Sequence, residues 1–202
     1  MFIIGITGGS GAGKTTALRA LESLGAATLD CDAVYHELLS GSSSLKRELG
    51  ARFAGVLRGG GIDRKKLGEI VFADPSSLLD LNAITHKYVG EEVERKLAEW
   101  AENGRSIAAL DAIALIESGR GEKCDVTVGV VAPVEARIGR IMRRDLIPRE
   151  KAELRIGAQK PDSFFRERCD YILENDDGAH GDFEDRCTKF FTKLIGGKIN
   201  AG

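Results

Sequence analysis

Gly8, Gly9, Ser10, Gly11, Ala12, Gly13, Lys14 and Thr15 follow one another in the pattern G-x-x-x-x-G-K-[ST], which places the groups needed to hold an oligophosphate in one short run. The glycines let successive backbone N–H groups turn inward around phosphate oxygens, and a helix opening at the end of the run adds the positive end of its dipole. In that arrangement Lys14 reaches the outer phosphates, and the Thr15 hydroxyl is an oxygen ligand of the kind Mg²⁺ prefers. A glycine-rich turn with no ligand would need neither the lysine nor the adjoining hydroxyl. Gly9, Gly11, Ala12, Gly13, Lys14, Thr15 and Thr16 are therefore the expected nucleotide-binding set, with Thr15 the expected metal ligand.

What the phosphate is used for depends on charged groups elsewhere. Asp30 and Asp32 follow a short strand-like run at 27–29. In an open α/β sheet that strand end is expected near the phosphate loop, where a carboxylate can orient an acceptor hydroxyl and take its proton. Either aspartate can instead cap the helix that follows. Residues 137–155 carry Arg137, Arg140, Arg143, Arg144, Arg149, Lys151 and Arg155 against Asp145, Glu150 and Glu153, a local +4 in a chain of formal charge −2. A cationic helix-loop-helix of this kind suits a lid that closes over polyphosphate, excludes water and neutralises charge in the transition state. A solvated charged face is the plain alternative for most of these side chains singly. No N-K-x-D guanine-reading element and no D-x-x-G switch follows the phosphate loop, which argues against a GTPase switch or motor ATPase and for a small-molecule kinase using ATP and Mg²⁺.

These groups need a frame. Residues 2–7 form a β-branched and aromatic run that ends in the glycine cluster, and Leu18, Leu21 and Leu24 then recur at helical spacing. Gly25 is placed to end that helix, and 27–29 reads as a second strand, which completes a βαβ unit. Residues 32–103 show helix signals and little strand signal, with Asp63 ahead of a helical run and Asp74-Pro75 as N-cap and first helical residue. Val89, Val93, Leu97 and Trp100 fall on one helical face and read as a packing stripe. The glycine run 59–61 and the serine-rich run 40–44 read as flexible punctuation. Strand signals resume at 107–110 before Asp111, at 126–131 before Pro133, and at 171–173 before Asn175. The expected fold is α/β: a five-stranded parallel sheet with helices on both faces, a helical insertion over 32–103 and a lid over 137–159. That leaves 1–31, 104–136 and 160–202 as the nucleotide-binding core, and ligands are expected beyond the carboxyl ends of the strands.

Composition limits the partners. The 202 residues are 43% apolar and 30% charged, enough chain for one sizeable core, and a charge of −2 makes no case for nucleic acid or an anionic membrane. No apolar run approaches the roughly 18–20 residues that span a bilayer, and the opening Met1-Phe2-Ile3-Ile4 lacks the basic flank of a signal peptide, so a cytoplasmic location is expected. Cys31, Cys124, Cys169 and Cys187 form no C-x-x-C pair, and His36, His86 and His180 complete no zinc pattern. Structural thiols and no obligatory protein partner are the expectation.

With these residues in place, the chain from Ile3 to about Asn175 resembles the bacterial dephospho-coenzyme A kinase family. Thr7 to Thr15 has that family's T-G-G-x-G-x-G-K-S/T form, and Asp30-Cys31-Asp32 with His36 matches its D-A-D-x-x-x-H element. Ile62-Asp63-Arg64-Lys65-Lys66-Leu67 and Val71-Phe72-Ala73-Asp74-Pro75 resemble its L-D-R-x-x-L and V-F-x-D-P segments. Arg144-Asp145, Ala152, Arg155-Ile156 and Gln159 resemble its lid, and 170–175 its final strand. The resemblance implies that the 3′-hydroxyl of the ribose in dephospho-coenzyme A is phosphorylated by ATP, with Asp32 as base. It implies that the helical segment holds the acceptor, with Arg64 and His86 among its contacts, that Arg140 and Asn175 lie near the adenine, and that Arg144 lies near the transferring phosphate. Asp111 would either support Mg²⁺ through water or serve as a strand end. The chain departs from the family pattern at His86-Lys87, where His-Pro is usual, in Asp111-Ala112-Ile113-Ala114-Leu115-Ile116-Glu117, where D-x-P-L-L-x-E is usual, and at Phe165, where a basic residue is common and Arg166 stands adjacent.

Overall fold

The computed structural model of the chain describes residues 1–176 and 183–199; His180 lies outside them. Strand β1 (Phe2–Thr7) leads through the glycine run into helix α1 (Lys14–Ser23) and strand β2 (Ala27–Asp30). Helix α1 ends as its sequence suggests: the Gly25 N–H donates to Glu22 O at 2.9 Å and the Ala26 N–H to Leu21 O at 3.0 Å, the paired bonds of a Schellman close. Next come α2 (Cys31–Gly41), α3 (Ser43–Arg52), the two-residue strands β3 (Leu57–Arg58) and β4 (Gly61–Ile62), α4 (Arg64–Ala73) and α5 (Pro75–Glu102). The remainder is β5 (Ile107–Asp111), β6 (Val126–Val131), α6 (Val134–Asp145), α7 (Arg149–Gly157), α8 (Asp162–Arg168), β7 (Tyr171–Glu174) and α9 (Phe183–Ile199).

The chain divides into two compact units, Met1–Leu29 with Ala101–Gly202, and Asp30–Trp100. In the first, the five parallel strands lie in the order β2-β5-β1-β6-β7. Central β1 pairs with β5 in the register Ile4↔Ala109 and with β6 in the register Ile6↔Val128. Both β5 and β6 are buried along their whole length, which is why they read as continuous apolar runs rather than alternating ones. The chain leaves β1 toward one side of the sheet and later returns to the other, so the glycine run sits at the topological switch point, where open α/β sheets hold ligands. Ala17, Ala20 and Leu21 of α1 share one core with Cys187, Phe191 and Ile195 of α9.

The second unit is helical, and each helix opens on a side-chain cap. Asp30 accepts from the N–H groups of Asp32 (2.8 Å) and Ala33 (2.9 Å), Ser42 from Leu45, and Asp63 from Lys66. The Asp74 carboxylate accepts from the backbone and hydroxyl of both Ser76 and Ser77, and these bonds, the Ser76 hydroxyl first, hold it well below the usual carboxylate range. Leu45, Leu49, Phe53 and Val56 are buried together with Leu67 and Val71, each such side chain contributing roughly 1.5–3 kcal/mol. Within α5 the packing stripe holds Val89 and Val93 in the interior. The glycine run 59–61 is not mere punctuation: Gly59 (φ 55°) and Gly60 (φ 78°) make the two-residue turn of the β3–β4 hairpin. Positive φ at both central residues is the turn that matches strand twist.

Among the described residues, no helix is long and apolar enough to cross a membrane. Burial, first among the causes, pushes the thiols of Cys124 and Cys169 up to about 11, and Cys31 and Cys187 lie in the interior.

Candidate active site

The glycine run wraps from β1 into α1 and is gripped from outside. Arg137 donates from Nε to Ser10 O at 3.0 Å, Arg140 from Nη1 to Gly11 O at 2.9 Å and Ala12 O at 3.3 Å, and Asn175 from Nδ2 to Ala12 O at 2.8 Å. Its outward carbonyls are thus occupied. The N–H groups of Lys14 and Thr15, in the first turn of α1, have no intrahelical acceptor and remain available to an anion. Lys14 curls across the loop, with Nζ donating to Gly8 O at 3.1 Å. A Cβ added at Gly8, Gly9, Gly11 or Gly13 would lie 2.1, 2.1, 2.8 and 2.3 Å from Val130 O, Arg137 Nη2, Arg137 O and Asn175 Nδ2 respectively. Gly13, at φ 114°, also needs a backbone conformation that other residues rarely adopt.

Thr15 stands exposed on α1, and Asp111 closes β5, 8% exposed and in register with Ile6. Among the described residues no group of three or more His, Cys, Asp or Glu could hold a metal. A hydroxyl beside a phosphate cradle fits Mg²⁺, which keeps most of its shell in phosphate and water oxygens and takes few protein ligands.

The structure sorts the cationic segment by partner. Arg137 and Arg140 hold the phosphate loop. Arg144 chelates Asp145 at 2.7 and 3.0 Å, and Asp145 also accepts from Arg155. These bonds, Arg144 first, hold the Asp145 carboxyl down at about 2. Arg149 pairs with Glu135 at 2.7 Å and Glu153 at 2.6 Å. Arg140 and Asn175, expected beside the adenine, are bonded to the backbone of the phosphate loop, and Arg140 Nη2 also reaches Asn175 O at 3.5 Å.

In the helical unit the two strand-end aspartates are both exposed, Asp30 as the cap of α2 and Asp32 in its first turn. Arg64 lies 3.5 Å from His36 Nδ1, and His36 stacks obliquely on Tyr35. His86 is half-buried on α5. Lys87, where the chain departs from the family pattern, makes an exposed ion pair with Glu48 at 3.3 Å, and Glu48 also accepts from the Tyr88 hydroxyl at 2.7 Å. Phe165 is 1% exposed in the core, whereas the adjacent Arg166 is an exposed cation paired with Glu174 at 2.7 Å.

In the sequence Arg137 is one of seven cations of the expected lid, and its buried ties to Ser10 and Asp162 are what that reading lacks. Arg137 lies on the buried face of α6 with Ile138 and Ile141, and an arginine inside an apolar helical stripe is the signal that could have exposed it.

Residues 2–181 match the family model described as dephospho-CoA kinase. The chain is 37% identical over 195 residues to a dephospho-CoA kinase of Geobacter sulfurreducens, covering 96% of this chain and 98% of that one. A crystal structure from Thermus thermophilus superposes with a TM-score of 0.80 at 32% identity, covering 96% of each chain. Dephospho-CoA kinase from Campylobacter jejuni, at 24% identity and a TM-score of 0.68 over 97% of this chain and 98% of that one, shares the fold. With its phosphate cradle at the switch point of a five-stranded parallel sheet and a match from residue 2 to residue 181, the chain belongs to the dephospho-CoA kinase family.

Proposed function

We propose that this protein transfers the γ-phosphoryl group of ATP to the ribose 3′-hydroxyl of dephospho-coenzyme A, giving coenzyme A and ADP, the last step of coenzyme A biosynthesis. The family match over residues 2–181 carries the reading, and the braced phosphate loop supports it. The backbone of residues 9–16 cradles the phosphates, and Lys14 moves from Gly8 O onto the β and γ oxygens. The Thr15 hydroxyl is the protein's ligand for Mg²⁺, which neutralises phosphate charge when bound. Asp32 takes the proton of the acceptor hydroxyl as the new P–O bond forms and the bond to the ADP oxygen breaks. Asp30 is taken up as the cap of α2, accepting from the N–H groups of Asp32 and Ala33, and this favours Asp32 as the base. Arg64 and His86 belong to the acceptor side. Arg144 exchanges Asp145 for the transferring phosphoryl group as the lid, residues 137–159, closes with its Arg137, Arg140 and Gln159 remaining on the phosphate loop. Arg140 and Asn175 serve the nucleotide by fixing the loop that holds it. The division of labour is a nucleotide core of 1–31, 104–136 and 160–202 and an acceptor segment of 32–103, acting on small molecules in the cytoplasm.

The test is ADP release with dephospho-coenzyme A, adenosine, other nucleosides and nucleoside monophosphates as acceptors, with and without Mg²⁺. Turnover with dephospho-coenzyme A far above the panel is expected. Preference for a nucleoside would make it a different kinase, and no ATP consumption with any acceptor would leave only a nucleotide-binding protein.

A further inference from the structure

Arg137 is an arginine almost wholly withdrawn from water, with a side chain only 3% exposed. Its guanidinium joins three separate parts of the core: Nε donates to Ser10 O in the phosphate loop at 3.0 Å, Nη2 to Gln159 Oε1 at 3.0 Å, and Nη1 to Asp162 Oδ1 at 3.3 Å at the start of α8. Gln159 completes the circuit. Its Oε1 also accepts from the Ser10 N–H at 2.9 Å and its Nε2 donates to the Ser10 hydroxyl at 2.8 Å. The backbone N–H, carbonyl and hydroxyl of Ser10 are thus all held by two side chains far away in sequence. Burial lowers the Arg137 pKa while Asp162 opposes that shift, and a cation kept in the interior needs such fixed partners.

The placement of Gln159 gives the circuit a use. It stands just beyond α7, its own N–H closing on Ile156 O at 3.1 Å, and just before the turn into α8. Any swing of α7 therefore pulls on a side chain bonded twice to the phosphate loop. Gly9 fits the same contact, since a Cβ there would lie 2.1 Å from Arg137 Nη2 and 3.1 Å from Gln159 Oε1.

We propose that Arg137 and Gln159 form a positioning bracket that holds Ser10, sets the arc of the phosphate loop in its nucleotide-binding shape, and ties that shape to the position of α7. Neither is a catalytic residue. The proposal rests on the reading of the loop as the ATP site. It predicts that breaking the bracket acts on nucleotide affinity first, because a loop populating its competent shape only part of the time binds with an apparent affinity reduced by that fraction.

The experiment measures equilibrium binding of ADP and a non-hydrolysable ATP analogue, steady-state kinetics and thermal melting for the wild-type chain and for Gln159→Leu, Gln159→Glu, Ser10→Ala, Arg137→Met and the double variant Gln159→Leu/Arg137→Met. Gln159→Leu removes both bonds to Ser10 and should raise the Kd for both nucleotides about tenfold, equivalent to about 1.4 kcal/mol. Its kcat at saturating ATP should change less than threefold. Gln159→Glu keeps an acceptor for the Ser10 N–H and for Arg137, lets the Ser10 hydroxyl donate instead, and should return within about threefold of wild type. Ser10→Ala, losing one bond, should fall between. The double variant should be no worse than the more damaging single one. Should Arg137→Met fail to fold, the Gln159 and Ser10 variants decide alone. Unchanged affinity in Gln159→Leu with a lower melting temperature would overturn the bracket and leave a packing role. Additive losses in the double variant, or no rescue by Gln159→Glu, would also overturn it. Wild-type binding and turnover, measured alongside, report separately on the kinase reading.

Discussion

Replacing Gly13 by alanine isolates one contact on which the phosphate loop depends. At φ 114° and ψ 19° a side-chain-bearing residue is strained by about 1–3 kcal/mol. The new methyl would lie 2.3 Å from Asn175 Nδ2, nearer than atoms can approach, so the buried Asn175 amide must swing away from Ala12 O, to which it donates at 2.8 Å. A buried hydrogen-bonding group left unmatched costs about 1–3 kcal/mol more. Together these come to roughly 2–6 kcal/mol, a large share of a domain's stability, and the melting temperature should fall on the order of 10 °C. Nucleotide binding should fail before the fold does. The decisive assay is a cycle of Gly13→Ala, Asn175→Ala and the double variant, read by chemical unfolding and by ADP binding. Asn175→Ala alone should cost about 1–3 kcal/mol, since Ala12 O keeps only the longer 3.3 Å bond from Arg140. In the Gly13→Ala background it should cost almost nothing, because that bond is already lost. Additivity within about 0.5 kcal/mol would show that alanine is accommodated without moving Asn175 and would refute the reasoning.

Asp32→Asn should lower kcat by orders of magnitude while ATP affinity holds, and Asp30→Asn, which keeps an equally good cap, should do far less; the reverse order in steady-state kinetics would reassign the base. Arg144→Ala should reduce kcat much more than it weakens ATP binding without acceptor. Arg149→Ala, whose partners Glu135 and Glu153 are exposed carboxylates, should leave kinetics nearly unchanged, and equal small losses in both would reduce the cluster to a solvated surface. Asp145, held at about 2 chiefly by Arg144 against an ordinary value near 3.9, contributes stability that is complete above about pH 4 and lost as pH falls toward 2. A carboxyl NMR titration with a midpoint near 4 would mean the Arg144–Asp145 pair does not persist in solution.

Where a signal was local, the sequence exposed it. The β-branched run 2–7, the glycine that closes α1 and the caps Asp63 and Asp74 each act within a few residues, so type and spacing reveal them directly. The hairpin at 57–62 hid because two-residue strands are too short to show alternation, and a glycine pair that makes a turn looks like one that merely loosens the chain. Arg137 hid for another reason. Its partner Ser10 is 127 positions away, and although Ile138 and Ile141 mark a buried helical face beside it, they do not say what a cation on that face would bind. Which of Asp30 and Asp32 caps α2 was open for the same reason: either carboxylate can cap, and only the direction of the Asp30 side chain, onto the N–H groups of Asp32 and Ala33, shows that Asp30 does.

Helix α1, which carries Lys14 and Thr15, is completed by α9, from which Cys187, Phe191 and Ile195 reach the core beside Leu21. The two helices are separated along the chain by the whole helical unit and most of the sheet, so on the ribosome α1 emerges long before its packing partner. At about 5–20 residues per second the wait is roughly 10–30 s. The contiguous segment Asp30–Trp100 can fold during that interval, but the nucleotide-binding half cannot close its core until α9 is made. A nascent chain can therefore gain its helical unit first and the closed core behind Lys14 and Thr15 last, and the apolar face of α1 is the surface a chaperone would meet in between.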